Sequence, residues 1–77
     1  MNDPWAADIV GRLHRLAITQ KDFAKRCNYT PSYLSMLLNG KKRFSSDYAK
    51  RITHNHISRT IERLEREAEQ RTRKNHS

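Results

Sequence analysis

Apolar residues in this chain recur three and four positions apart, and no period-two alternation lasts for more than a few residues. Trp5, Ile9, Leu13 and Leu16 keep this spacing, which at 100° per residue sets them along one stripe of an α-helix. Asp3 followed by Pro4 reads as an N-cap and a first helical residue, since proline at that position loses no hydrogen bond. The first helix is therefore expected over about residues 4 to 17. In a second segment Phe23, Ala24 and Cys27 share one face. Thr19 is placed to cap it, with Asp22 favouring its positive end, and Asn28, which tolerates the left-handed conformation, ends it.

A third helix starts from Thr30 as cap and Pro31 as first residue, and Gly40 stops it. Leu34, Leu37 and Leu38 occupy about a third of its circumference, whereas Ser32 and Met36 point to the far side. Tyr33, Ser35 and Asn39 flank that outward face. Eight residues thus present a surface with small polar side chains and one methionine, a shape that fits deep into a groove.

Beyond it, Ser45 or Ser46 is the expected cap of further helix. Ala49 and Ile52 point one way, but Ile57, Ile61, Leu64 and Ala68 form a stripe rotated by more than a quarter turn. The polar run THNH at 53–56 then reads as a kink or break, which predicts a fourth helix near 46–53 and a fifth over 56–71. A single long helix with two buried faces is the alternative. With no strand signal, the expected fold is all-α: one compact four- to five-helix domain over 1–70. The apolar-free RTRKNHS at 71–77 is expected to be a basic, disordered tail.

Charge narrows the function. The 77 residues include 16 lysines and arginines against 8 acidic residues, a formal net charge of +8. Residues 1–38 carry 5 basic and 3 acidic side chains while 39–77 carry 11 and 5, so the excess gathers at and after the third helix. An anionic partner follows. The size and residue set exclude an enzyme: there is no constellation of convergent titratable groups and no glycine-rich phosphate loop. His54 and His56 stand two apart, so on a helix they diverge by about 160° and cannot share a metal. The single cysteine, Cys27, allows neither an internal disulfide nor a zinc site. No catalytic residue, metal, cofactor or small-molecule ligand is expected. No apolar run reaches the roughly 18 residues of a membrane span, and MNDPWAAD lacks the pattern of a secretion signal, so the expected location is cytoplasmic, away from membranes.

The stretch TQKDFAKRCNYTPSYLSMLLNG, residues 19–40, resembles the helix-turn-helix of the lambda-repressor/Cro-like (Xre-type) family without a gap. Thr19-Gln20 at its opening, Ala24 where the two helices cross, Leu34 and Leu37 in the core and the closing Asn39-Gly40 carry the likeness. Ala24 has a physical reason, because two helices crossing this steeply leave no room for a larger side chain. The resemblance implies a lambda-repressor-like fold that binds double-stranded DNA with the third helix in the major groove, as a homodimer on paired half-sites, in the manner of small phage or mobile-element repressors. Carried onto this chain, Gln20, Pro31, Ser32, Tyr33, Ser35 and Met36 would face the bases. Thr19, Lys21, Thr30, Asn39, Lys41, Lys42 and Arg43 would lie on the phosphates.

Two departures matter. The family often has glutamine where Pro31 stands, and proline offers a base edge no hydrogen bond, so direct readout is thinner here. It commonly has glycine where Asn28 stands, a change the left-handed conformation accommodates. The spacing of Ile57, Ile61, Leu64 and Ala68 also fits a coiled-coil seam, with Glu62–Arg66 and Glu67–Arg71 pairing alongside, and so marks the expected dimerisation stripe. The same stripe would equally cap the domain core. Two function classes result: a sequence-specific DNA-binding regulator, and a protein- or RNA-interaction module that reuses the helix-turn-helix surface.

Overall fold

A computed structural model describes the backbone of residues 4–75 and the side chains of 4–71. Four helices follow in order: α1 (Pro4–Leu16), α2 (Gln20–Cys27), α3 (Pro31–Leu38) and α4 (Asp47–Asn75), with no strand among the described residues. The all-α expectation is borne out. Asp3, the expected cap of α1, lies outside the described residues.

Each of the first three helices ends in the same way, and the sequence explains why. The N–H of Ile18 reaches back to the Leu13 carbonyl, that of Tyr29 to Ala24 and that of Lys41 to Met36, at 3.0, 2.8 and 2.9 Å. This Schellman pattern needs one residue in the left-handed conformation before each of those donors. Those residues are Ala17, Asn28 and Gly40, at φ 57°, 63° and 69°. Glycine and asparagine adopt this backbone readily; alanine does not, because its Cβ crowds the following carbonyl. Ala17 is exposed, so its methyl gains nothing in return. Ala17→Gly is expected to stabilise the chain by about 1 kcal/mol. In a thermal melt followed by circular dichroism this is a rise of roughly 4–8 °C in Tm.

The starts are equally specified. Thr19 Oγ1 accepts from the Asp22 N–H and Thr30 Oγ1 from the Tyr33 N–H, both at 3.1 Å. Ser46 Oγ accepts from the Ala49 N–H at 3.1 Å, which settles which of the two serines caps α4.

One core joins all four helices. Ala6, Ile9 and Leu13 from α1 meet Phe23, Ala24 and Cys27 from α2, Leu34, Leu37 and Leu38 from α3, and Ile57, Ile61 and Leu64 from α4. Ala24 is fully buried, as the tight crossing of α2 and α3 demands. Burial also pushes the Cys27 thiol pKa upward, which suits a packing role better than a reactive one.

Two expectations are corrected here. First, the predicted break at 53–56 does not occur: α4 runs unbroken from Asp47, so the fourth and fifth helices are one, and its backbone stays helical through 71–75, where fraying was expected. The remaining residues of that tail, 76 and 77, lie outside the described residues. The polar run does not interrupt the helix: Thr53, His54 and His56 each have a partner, and Asn55 is exposed. His54 stacks face to face on Trp5 with ring centroids 3.7 Å apart, and Trp5 Nε1 donates to Ser58 Oγ at 3.1 Å, which ties α4 to α1. On the opposite flank His56 Nε2 donates to the Cys27 carbonyl at 3.0 Å, occupying an acceptor at the end of α2. Thr53 and Thr60 return their hydroxyls to the carbonyls of Ala49 and His56.

Second, Ile57, Ile61 and Leu64 do not form a dimer seam. Ile57 and Ile61 are wholly inaccessible and Leu64 nearly so, all within the core of a single chain, and Ala68 is half-buried. A chain this short has too few apolar residues to supply a core and a separate seam from one stripe. Polar clamps reinforce the same docking. Arg12 of α1 grips Glu65 of α4 with two hydrogen bonds, the Nε one at 2.9 Å, and holds that carboxyl below the usual carboxylate range. Arg26 of α2 forks onto Glu67 at 2.9 and 3.0 Å, so Glu67 serves the fold rather than the pairing with Arg71 along the helix surface.

Candidate nucleic-acid interface

Packing against α1 and α2 leaves the outer face of α3 uncovered. Leu34, Leu37 and Leu38 are turned inward; Pro31 and Ser32 are exposed, and Met36 is 42% accessible. Ser35 sits at the edge of this face, and its hydroxyl accepts from Asn39 Nδ2 at 3.1 Å. Ser35 and Asn39 therefore form one polar unit at the end of the helix, with the Ser35 O–H and the rest of the Asn39 amide still able to bond outward.

Tyr33 stands differently from its neighbours. It is half-buried and packs on the rim of the core, with its ring edge-on to Tyr29 at 4.9 Å between centroids. Lys42 Nζ lies 5.9 Å from the Tyr33 ring centroid and the same distance from that of Phe44. Two aromatic faces thus hold one ammonium beside α3, so Lys42 is prepositioned rather than freely sampling solvent. Lys41 and Arg43 on either side of it are exposed.

At the other end of the face is the N-terminus of α3 with its cap Thr30; α2 starts from its own cap, Thr19. Thr19, Gln20, Lys21 and Thr30 are all exposed. Both threonine oxygens accept a backbone N–H as caps, which leaves their O–H hydrogens as donors. Helix capping and contact with an anion are therefore compatible in the same residue. Helix starts also concentrate unpaired N–H groups and positive potential, which suits phosphate oxygens.

Thr30 thus stands at the N-terminal end of α3, and Lys41, Lys42 and Arg43 follow its C-terminal end, so a hydroxyl and three cations flank its outer face. Spacing alone did not single out Lys50. The loop after α3 folds back so that Lys42, Phe44, Ser45 and Ser46 share a recess with Lys50 and His54 of α4. That recess, which Asp47 also lines, adds a cation, a carboxylate and two hydroxyls beside the loop. Its only trace in the sequence was the position of Lys50 in the first turn after the Ser46 cap.

Among the described residues no group of three His, Cys, Asp or Glu side chains stands close enough to hold a metal ion, and no helix is long and apolar enough to cross a membrane. No curated protein and no solved structure matches the chain. A family match, however, covers the region just described: the model of the Helix-turn-helix family aligns with residues 12–54, from the second half of α1 through α2 and α3 into α4. That span is more than half of the chain, and with the four-helix fold it shows that the protein belongs to the helix-turn-helix family of Xre/lambda-repressor type, whose members are DNA-binding regulators.

Proposed function

We propose that the chain is a repressor that lays α3 in the major groove of an operator and excludes polymerase by occupying it, with two copies on paired half-sites. The observation that carries this reading is the outer face of α3: small, nearly uncharged, and bounded at both ends by groups suited to phosphate. B-DNA's major groove admits a helix about 12 Å across, and the short side chains of Ser32 and Ser35 allow a close approach. Ser32 and Ser35 donate to or accept from base edges, and Met36 packs on a thymine methyl. Pro31 at the leading edge contributes shape alone. Thr19, Lys21 and Thr30 bond one phosphate strand, while Asn39, Lys41, Lys42 and Arg43 bond the other, and these contacts fix register without reading sequence. Tyr33, turned toward Lys42, reaches the groove only by its hydroxyl end.

The test is a binding titration on a duplex enriched by the chain from a random-sequence pool, in rising salt and against unrelated duplex. Affinity is expected to fall steeply with salt, as counterion release requires, and the enriched duplex to outcompete the unrelated one. Replacing Lys41, Lys42 and Arg43 together by alanine is expected to weaken binding to all duplexes alike and to lower the salt slope by up to about 3, with site discrimination retained. Lost discrimination at undiminished general affinity would show that these three cations read bases instead. No enrichment of any duplex would remove the DNA reading altogether.

A further inference from the structure

Only three large apolar side chains stand exposed among the described residues: Met36 on α3, Tyr48 and Ile52. The last two lie four apart near the start of α4, at 69% and 49% accessibility. Taking 100° per residue, they point almost directly away from Ile57, Ile61 and Leu64, the side of α4 that the chain's own body covers. Because α4 is unbroken, no turn of the helix brings them back toward that body. Along the same side continue Asn55, Arg59, Glu62 and Arg66, all exposed. The polar side of an otherwise amphipathic helix thus carries two large apolar residues at its start.

We infer that Tyr48 and Ile52 form the contact through which a second copy of this chain joins the first on DNA. The inference rests on the DNA reading above for its setting and concerns the surface that pairs the two copies. A two-fold axis close to residue 50 sets Tyr48 of one copy against Ile52 of the partner subunit, and Ile52 against the partner's Tyr48, so a single patch satisfies itself. Asp47 and Arg51 bracket the same midpoint to within one residue and are both exposed. The same axis therefore brings each Asp47 toward the partner's Arg51. Self-complementarity in shape and in charge singles out a second copy over an unrelated protein.

The patch also explains why the pairing depends on DNA. Two side chains per copy bury far less than the roughly 800 Å² per partner of a standard interface. Each copy also carries a formal charge of +8, so free copies repel one another. Phosphates between them neutralise that charge, and binding to adjacent half-sites raises the effective concentration of one copy near the other. The patch is well placed for this, because α4 starts directly after the loop that carries Lys41, Lys42 and Arg43 past the end of α3.

The experiment compares the full chain with its Tyr48→Ser, Ile52→Ser double variant. Cooperativity on a duplex holding two half-sites is expected to fall from a Hill coefficient of about 2 to about 1, with affinity for a single half-site unchanged. In sedimentation without DNA, the native chain is expected to associate only toward millimolar concentration and the double variant not at all. Equal cooperativity in both chains would overturn the inference, as would association of the double variant like that of the native chain. A marked fall in melting temperature without any change in association would also overturn it, since the pair would then be covered by its own chain. Should no duplex be enriched while concentration-dependent association is lost in the variant, the DNA reading fails and the paired surface stands.

Discussion

Met36→Glu abolishes binding to duplex DNA while leaving the far-ultraviolet helical signal in place: this is the expected result if α3 docks as proposed. Met36 lies in the last turn of α3 on the side away from Leu34, Leu37 and Leu38, and at 42% accessibility it stands outside the buried core cluster. A carboxylate there faces base edges rich in acceptors and a flanking wall of phosphates. Like-charge placement in an interface costs several kcal/mol, and each 1.4 kcal/mol is tenfold in affinity, so the loss should exceed about 100-fold. The fold loses less, because a negative charge near a helix C-terminus costs about 0.3–1 kcal/mol. An electrophoretic shift beside a circular dichroism spectrum separates the two effects. Unchanged affinity would mean that Met36 does not face DNA.

The second large effect is on stability. Phe23 is the largest fully buried side chain and sits at the centre of α2, the helix that packs against both α3 and α4. Phe23→Ala removes its ring from a core to which every helix contributes, and truncations of this kind cost about 3–5 kcal/mol. A chain of 77 residues has a total stability of only roughly 4–12 kcal/mol at 0.05–0.15 kcal/mol per residue, so the variant loses a large fraction of it. Urea unfolding followed by ellipticity at 222 nm measures the difference. A loss below about 1 kcal/mol would show that the surrounding side chains collapse into the space. The DNA-binding face then suffers indirectly, through the population of folded chain.

What the sequence revealed most clearly was punctuation. Thr19 and Thr30 as caps, Pro31 as a first helical residue, and Asn28 and Gly40 as stops act within one or two turns of the residues they control, so their effect can be read locally. The same holds for the inward side of α3, since three leucines within eight residues leave only one way for that helix to face. Ala17 escaped notice because nothing in its chemistry announces a left-handed residue; only the register of the Ile18 N–H on Leu13 imposes it. The THNH run misled for the opposite reason. Its polarity looks like an interruption, yet His54 meets Trp5 and His56 meets Cys27, partners far away in the chain. Periodicity reports which side of a helix is apolar and is silent on what covers it. For Ile57, Ile61 and Leu64 the spacing of a core stripe and of a dimer seam are the same, and only the packing of α1 and α2 onto that side decides between them.

The stacking of Trp5 on His54 has one more consequence. Trp5 is the only tryptophan in the chain, and its indole lies flat on an imidazole contributed by a different helix. Its emission is therefore a built-in optical gauge of whether the first helix remains seated on the last, readable without any attached dye.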